Sequence, residues 1–282
     1  MKTIHVVEET LPRAWENAIL ECWKNGCNFP TEYDNKKDRN DPPSKDVCAL
    51  IHVTDPMKEP RIHRAFPGGL DDLEKYRLEV VHGVRNHYMD DLDNPDCWTY
   101  TYNRRLFEYD VPGKATVNQI DACISKLKEC SFTRRAIAIT YQPWNDVGTD
   151  DPPCLQNLFF RVENGKLNMS IFIRSNCAYD AAFMNMWAFV ELQKYVADRV
   201  GVDVGEYVHF ATSFHIYGSN FDRFKGFLKT VEKRTFEERT YTTKFAIPFF
   251  IEGCDQLLNE EGMPEDKKQL IIARKKYLQS QP

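Results

Sequence analysis

The segment from residue 155 to residue 174 constrains the fold more than any other part of this sequence. Two strand-like runs flank the dipeptide Asn164-Gly165, which fits a tight turn between antiparallel strands. The pattern therefore predicts a β-hairpin. In its second run, apolar side chains stand at every other position, namely Leu167, Met169, Ile171 and Ile173.

A long apolar run after the hairpin predicts a central helix. Residues 181–200 are hydrophobic around much of the helical circumference. Strand and helix patterns elsewhere are mixed without a regular β-α-β rhythm, which favours an α+β fold, a mixed β-sheet packed with helices, over a doubly wound parallel fold. Since the sequence has neither an internal repeat nor a linker, we expect a single domain over residues 1–282.

Four further segments have interpretable patterns. Apolar periodicity predicts helices over residues 70–89 and 264–281. Residues 98–103 read as a strand. Residues 31–46 are polar and rich in turn formers, which indicates an exposed loop. This loop carries four cations, and which of them would contact a phosphate stays open: Lys36, Lys37, Arg39 and Lys45.

Composition argues against several functional classes. A net charge of -5 gives no general attraction to polyanions, so nonspecific nucleic-acid binding is not expected. The nine cysteines form no CxxC pair, so reduced thiols are expected rather than a disulfide framework or a zinc knuckle. Because no apolar run reaches membrane-spanning length and the first residues lack the apolar core of a signal peptide, we expect a cytoplasmic protein without a membrane partner.

Four short motifs occur in a fixed order. They are Thr133-Arg134-Arg135, Pro152-Pro153-Cys154, Arg174-Ser175-Asn176 and His215-Ile216-Tyr217. Together they resemble the thymidylate synthases and their pyrimidine nucleotide hydroxymethylase relatives, with a likeness to compact archaeal members. The twenty positions from Cys154 to Arg174 match the interval in that family. The resemblance is strong over residues 130–225 and nearly absent after 230, so residues 230–282 form a divergent C-terminal extension.

The resemblance implies a thymidylate synthase-like fold with Cys154 as the nucleophile. A free cysteine is more often a buried apolar side chain, and a reactive one needs nearby positive charge, which Arg174 at the end of the paired strand would supply. In the family, the thiolate adds to C6 of the pyrimidine, and C5 then takes a one-carbon unit from 5,10-methylenetetrahydrofolate. The exocyclic methylene at C5 then reacts further. Addition of hydride from the folate leaves a methyl group, whereas addition of water leaves a hydroxymethyl group.

The family also implies how a pyrimidine nucleoside monophosphate is bound. Arg174 and Ser175 would hold the phosphate dianion, which guanidinium groups grip bidentately. By resemblance, Arg134 and Arg135 reach into the partner's site, which predicts a homodimer formed through the sheet. The alternative for this arginine pair is a solvated surface patch.

Sugar and base contacts are implied in the same way. His215 and Tyr217 stand two apart, so on a strand they point to one face, where the family binds the sugar hydroxyl. A satisfied core histidine is the alternative. Asn185 takes the position of the amide that reads the N3 and O4 edge of uracil, since an amide offers a donor and an acceptor together. This favours dUMP over dCMP, although an asparagine there has a purely structural alternative.

Upstream, the resemblance assigns two catalytic residues. Glu79 lies near the position of the glutamate that organises proton transfer at C4 and C5. Tyr102 matches the tyrosine of a Tyr-Gly element, with Asn103 in place of the glycine. A surface glutamate and a core aromatic residue are the respective alternatives.

Several departures bear on folate and on the product. Cys177 and Ala181 occupy the folate-contact positions where the family has Asp and Gly. The tryptophan-rich segment is shortened over residues 90–98, and the family's closing C-terminal peptide is not recognisable. Because both elements exclude water during hydride transfer, their loss favours a hydroxymethylase, acting on dUMP, dCMP or CMP. Asn185 instead favours the conversion of dUMP to dTMP. The preference for ribose or deoxyribose and the pathway served stay open.

Two rival readings remain. A cysteine hydrolase built on Cys154 and His215 is disfavoured because Cys154 leads into a strand rather than a helix. A non-catalytic nucleotide-binding relative would keep the phosphate arginines and lack the folate site. No metal site is predicted, because His82 and His87 are five apart with no third ligand in view.

Overall fold

A computed structural model describes residues 1–32, 41–90 and 97–281. Three of the four loop cations, Lys36, Lys37 and Arg39, lie outside the described residues. The chain forms two units, which we call the first and the second unit. The first comprises Met1–Pro67, Ser170–Met186 and Gly205–Thr243, and the second comprises Gly68–Met169, Trp187–Val204 and Lys244–Pro282.

Strands and helices are mixed along the chain. The strands are β1 (Thr3–Glu8), β2 (Cys27–Phe29), β3 (Ser44–Val53), β4 (Ile62–His63), β5 (Ile137–Ile139), β6 (Leu155–Glu163), β7 (Lys166–Cys177), β8 (Asp203–Ile216) and β9 (Thr240–Tyr241). The α-helices are α1 (Leu11–Asn25), α2 (Leu70–His82), α3 (Tyr102–Phe107), α4 (Gln119–Glu129), α5 (Pro143–Asp146), α6 (Ala182–Val200), α7 (Phe221–Lys233), α8 (Thr243–Leu258) and α9 (Glu265–Gln279).

The first unit is built on a mixed sheet with the strand order β1-β3-β8-β7. β1 and β3 are parallel, while β8 and the short β2 are antiparallel to β3. Helix α1 packs on β1 and β3. It does so because Leu11, Trp15 and Ile19 recur four residues apart and are fully buried. The Trp15 indole also donates a hydrogen bond of 2.9 Å to the Ala178 carbonyl.

A buried ion cluster lies beneath this helix. Glu16 accepts hydrogen bonds from Arg239 at 2.7 Å through both carboxylate oxygens and lies 2.9 Å from Nε2 of His63. Burial alone would raise the pKa of Glu16, but His63 and Arg239 outweigh it and lower that pKa to about 2. The buried carboxylate therefore stays ionised and satisfied.

The second unit contains the predicted hairpin. β6 passes through Asn164 (φ 51°) and Gly165 (φ 75°) into β7, so both turn residues have the left-handed backbone that this turn requires. The strand order is β7-β6-β5, with β5 antiparallel to β6. Trp187 of α6 packs on Phe250 of α8 with ring centroids 5.8 Å apart. The α+β prediction, with a mixed sheet and packed helices, is confirmed.

Three local predictions were wrong. The loop predicted over residues 31–46 ends before Ser44, because Ser44, Lys45 and Asp46 pair with β2 as the first residues of β3. Residues 98–103 do not form a strand, because the Thr101 hydroxyl accepts a hydrogen bond from the Arg104 amide and starts α3. The helix predicted over residues 70–89 ends at His82, because Gly83 takes a left-handed conformation (φ 65°). Among the described residues, no helix is both long and apolar enough to cross a membrane.

Candidate active site

In the second unit, Cys154 immediately precedes β6 and lies beside two tyrosines. The Tyr102 hydroxyl accepts a hydrogen bond of 3.3 Å from the amide of Leu155. Tyr100 is contacted by the Cys154 amide and by the Tyr102 hydroxyl. Their rings lie 5.6 Å apart. The structure therefore places Cys154 and the predicted Tyr102 together.

Both tyrosines are held in their protonated form. Burial is the main cause that raises the pKa of Tyr100 to about 12, and the charge of Cys154 adds to it. Burial also raises the pKa of Tyr102. Each phenol is therefore a proton donor at neutral pH, next to the proposed nucleophile. Tyr100 was missed in the sequence, although its spacing of two from Tyr102 was visible there.

A cleft of about 470 Å³ opens beside these tyrosines, which is a usual size for a small-molecule site. Its walls carry planar aromatic rings and carboxylates. The lining residues are Tyr76, Glu79, Cys97, Trp98, Thr99, Tyr100, Thr101, Tyr102 and Asp151. Aromatic walls of this kind fit a flat heterocycle.

Glu79 is a carboxylate of this cleft whose pKa is raised. Burial raises its pKa to about 7, against the opposing effect of the nearby Arg85 guanidinium, while Glu260 adds to the rise. A group with this pKa is present in both protonation states at neutral pH, so it can donate or accept a proton. Glu79 is half-buried and lines this cleft.

Asn103, which replaces the family's glycine, connects α3 to the helix that carries Glu79. Its amide nitrogen donates a hydrogen bond of 3.0 Å to the Val80 carbonyl. Its amide oxygen accepts one of 3.0 Å from Asn86. These two hydrogen bonds fix α3, which carries Tyr102, to the end of the helix that carries Glu79 and to the residues after it.

The predicted arginine pair lies between α4 and β5 in the second unit. Arg134 and Arg135 are exposed and line a cleft of about 400 Å³. Phe132 beside them is 77% exposed. Both guanidinium groups are therefore accessible to an anion or to another subunit.

In the first unit, Arg174 and Ser175 lie near the end of β7. The Arg174 carbonyl accepts a hydrogen bond of 2.8 Å from the Thr212 hydroxyl. Asn176 follows them and is buried against His209, with its amide oxygen 2.9 Å from Nε2. Nδ1 of His209 lies 2.9 Å from the Tyr207 hydroxyl.

Burial lowers the pKa of His209 to about 3, so its ring is neutral. A neutral ring whose Nδ1 accepts from Tyr207 carries its proton on Nε2 and donates it to Asn176. This chain of buried polar groups holds Asn176, the residue after the Arg-Ser pair. It was not predicted from the sequence, where His209 stands only as one more polar residue in a strand.

His215 and Tyr217 also lie together, with ring centroids 4.5 Å apart. The Ser213 hydroxyl lies 2.5 Å from the Asp46 carboxylate and 3.0 Å from Nδ1 of His215. Since the single hydroxyl proton goes to the carboxylate, Nδ1 of His215 is the donor to Ser213. That arrangement fixes the orientation of the imidazole. Lys45, which was predicted as a loop cation, lies in β3 immediately before Asp46.

The two positions that depart from the family pattern belong to one turn before α6. The Cys177 thiol lies 3.7 Å from the Asp180 carboxylate and accepts a hydrogen bond of 3.4 Å from the Asp180 amide. Burial raises the pKa of Cys177 to about 12, so this thiol is not a nucleophile. The Ala181 amide donates to the Cys177 carbonyl at 3.1 Å. Asn185, in α6, is 8% exposed.

The family model described as thymidylate synthase matches residues 74–244. A protein of Methanocaldococcus jannaschii named "Putative thymidylate synthase" is 32% identical over 219 residues, which cover 75% of this chain and 90% of that protein. A protein of Methanosarcina barkeri with the same name is 28% identical to this chain, and the match covers 93% of that protein.

The fold has a solved counterpart. The structure of a thermostable thymidylate synthase A from Bacillus subtilis aligns with a TM-score of 0.58 and 18% identity, covering 77% of this chain and 83% of that one. The mixed α+β fold is thus that of the thymidylate synthases.

The chain belongs to the thymidylate synthase family. It is therefore a one-carbon transferase. The family acts on a pyrimidine nucleotide and uses 5,10-methylenetetrahydrofolate as co-substrate. The helices α8 and α9 lie almost entirely beyond the matched residues.

Proposed function

We propose that this protein converts dUMP to dTMP, using 5,10-methylenetetrahydrofolate, through a covalent bond between Cys154 and C6 of the base. The observation that carries the proposal is the placement of Cys154 beside two protonated tyrosines, both lining the cleft that contains Glu79. A nucleophile and an acid-base group of near-neutral pKa are what addition to a pyrimidine ring requires.

Each step of the proposed chemistry has a residue in this chain. The Cys154 thiolate forms a bond to C6, and the electron pair of the C5-C6 double bond moves toward the C4 carbonyl. Glu79 moves protons near C4 and C5, helped by the tyrosine hydroxyls. A base removes the C5 proton, the co-substrate supplies the one-carbon unit and the hydride that completes the methyl group, and the thiolate leaves when the double bond is restored.

Binding of the nucleotide is assigned to the remaining predicted residues. Arg174 and Ser175 take the phosphate, with Arg134 and Arg135 contributed by the partner subunit of a homodimer formed through the sheet. The exposure of the arginine pair supports this role. His215 and Tyr217 take the sugar hydroxyl, and Asn185 takes the uracil edge.

The reaction can end in either of two products, a methyl or a hydroxymethyl nucleotide. In the methyl outcome, dihydrofolate is formed. In the hydroxymethyl outcome, water adds and tetrahydrofolate is released. Asn185 favours uracil, whereas Cys177 and Ala181 at the folate positions leave a hydroxymethylase acting on dUMP, dCMP or CMP as the second candidate. We also propose that residues 1–282 act as one catalytic domain, with residues 230–282 as its extension, in the cytoplasm.

Product analysis tests the reaction directly. The protein is incubated with methylenetetrahydrofolate and dUMP, dCMP, UMP or CMP in separate tubes, and the nucleotide is identified by mass spectrometry. Dihydrofolate and dTMP are the expected products. A hydroxymethyl nucleotide with tetrahydrofolate would replace the first candidate by the second, and no product from any tube would contradict both.

A substitution of the nucleophile tests the mechanism. Cys154→Ser is expected to lower turnover by at least about a thousandfold, because the hydroxyl is a far weaker nucleophile than a thiolate. The dissociation constant for dUMP should change by less than about threefold, since the phosphate residues are untouched. Cys27→Ser, at a half-buried cysteine of β2, is the control and should keep full activity. Full activity of Cys154→Ser would refute the covalent mechanism.

A further inference from the structure

Glu79 belongs to a partly buried chain of charges that continues outside the cleft. Nη1 of Arg85 donates to Oε2 of Glu79 at 3.4 Å. The same guanidinium donates to Glu260 through Nη2 at 2.5 Å and through Nε at 3.2 Å. The Tyr88 hydroxyl donates to Glu260 at 3.0 Å. Arg85 is therefore gripped bidentately by Glu260 and reaches Glu79 with its remaining amino group.

Glu260 comes from the part of the chain that the family model does not match. It follows α8, 175 residues away from Arg85 in sequence. The same extension also contacts α2 directly, for example through two of its charged side chains. Lys267 donates to the His82 carbonyl at 2.9 Å, and Arg274 pairs with Glu74 at 2.7 Å. Glu260 is thus held in a fixed position relative to the helix that carries Glu79.

We propose that Glu260 is a positioning residue, which engages Arg85 in competition with Glu79 and thereby gives the C-terminal extension control over proton transfer by Glu79. This inference rests on the proposed function of Glu79. It adds to that function a second carboxylate and a cation, neither of which contacts the nucleotide in the proposed mechanism.

The charges act on Glu79 in opposite directions. The Arg85 guanidinium lowers the pKa of Glu79, and Glu260 raises it. Glu260 also competes for Arg85, since two of the three guanidinium hydrogen bonds described above go to Glu260. The other titratable groups near Glu79 are not substituted in any variant below: Tyr76, Cys97, Tyr100, Tyr102 and Asp151 from the cleft walls, and Tyr88 beside Glu260.

Two substitutions should therefore move the pKa of Glu79 in opposite directions. Glu260→Gln removes a negative charge and frees Arg85, so we expect the pKa to fall by about one unit. Arg85→Gln removes the positive charge, so we expect it to rise by about one unit. Glu261→Gln, at the exposed neighbouring position, is the matched control and should leave it unchanged.

The readout is a ¹³C NMR titration of carboxyl-labelled glutamate, with Glu79→Gln used to assign the Glu79 signal. Thermal melting of each variant checks that it is folded. A Glu260→Gln titration identical to that of Glu261→Gln would overturn the inference. Glu260→Asp, which keeps the charge, is expected to restore most of the original pKa.

Turnover separates this inference from the proposed function. In Glu260→Gln, kcat should fall about tenfold with an unchanged KM for the nucleotide, and the acid side of the kcat profile should shift with the measured pKa of Glu79. Suppose that the pKa of Glu79 moves as expected, but neither the original protein nor any variant turns over a nucleotide. In that case the proposed function fails and the electrostatic coupling stands. If turnover occurs and the pKa does not respond, the inference alone fails.

Discussion

At the scale of single residues, Glu79 shows how placement changes chemistry. The same carboxyl group on an exposed helix face would be ionised at neutral pH. In this chain it is only 14% exposed and faces a cleft, and burial raises its pKa to about 7. Helix periodicity identified the helix, but the surrounding residues that set its acidity come from the segments before α3, before β6 and after α8.

The raised pKa of Glu79 makes stability depend on pH. The folded protein holds this proton more tightly than the unfolded chain, so the stabilisation is present below about pH 4.5 and is lost as pH rises toward 7. Glu79→Gln cannot ionise. We expect it to raise the free energy of unfolding at pH 8 by up to about 3 kcal/mol, with little gain at pH 4.

Urea unfolding of both proteins at the two pH values measures the effect. Glu261→Gln should show the same free energy of unfolding as the original protein at each pH. A Glu79→Gln gain of equal size at pH 4 and pH 8 would show that the carboxyl group is not perturbed by folding.

At the scale of elements, the hairpin of β6 and β7 is specified locally. Its turn dihedrals and the alternation of apolar residues are both properties of neighbouring residues. Residues 98–103 show the opposite case. Their aromatic composition indicated a strand, but the Thr101 hydroxyl caps α3 and also donates to Asn86, fifteen residues earlier in sequence.

The turn permits a direct test. Gly165→Ala places a Cβ on a residue with φ 75°, which should cost roughly 1–2 kcal/mol of unfolding free energy because left-handed backbone is strained in L-residues. Gly148→Ala is the matched control, since it is equally open to solvent and its φ is not positive. Urea unfolding of the two variants gives the comparison. Equal stability would show that the turn is not under this constraint.

At the scale of the whole molecule, the C-terminal extension is joined to earlier parts of the chain by buried charges. Glu74 of α2 is fully buried, and Arg274 of α9 grips it with two hydrogen bonds of 2.7 and 3.0 Å across 200 residues of sequence. Arg77 adds a third contact at 3.3 Å. An ion pair of this kind stabilises only while both partners are present.

Arg274→Ala should therefore lower the free energy of unfolding by about 3 kcal/mol, because it leaves the Glu74 carboxylate buried with Arg77 alone. Lys194→Ala, which breaks an exposed pair with Asp198 on α6, should cost less than about 0.5 kcal/mol. The double variant Glu74→Gln with Arg274→Ala should recover part of the loss. Thermal unfolding measures all three, and an equal effect of the two single variants would contradict the account.

The sequence by itself determined the hairpin, the main helices, the α+β class and the family, because these depend on periodicity, turn dihedrals and motif order, which are local or linear properties. The roles of Cys154, Arg174 and the other predicted site residues stay predictions. Only the tertiary structure decided that Tyr100 joins Tyr102 beside Cys154, that His209 supports Asn176, and that Glu260 reaches Arg85. Such pairings depend on which distant segments burial brings together, and no local pattern encodes the resulting dielectric and charge environment.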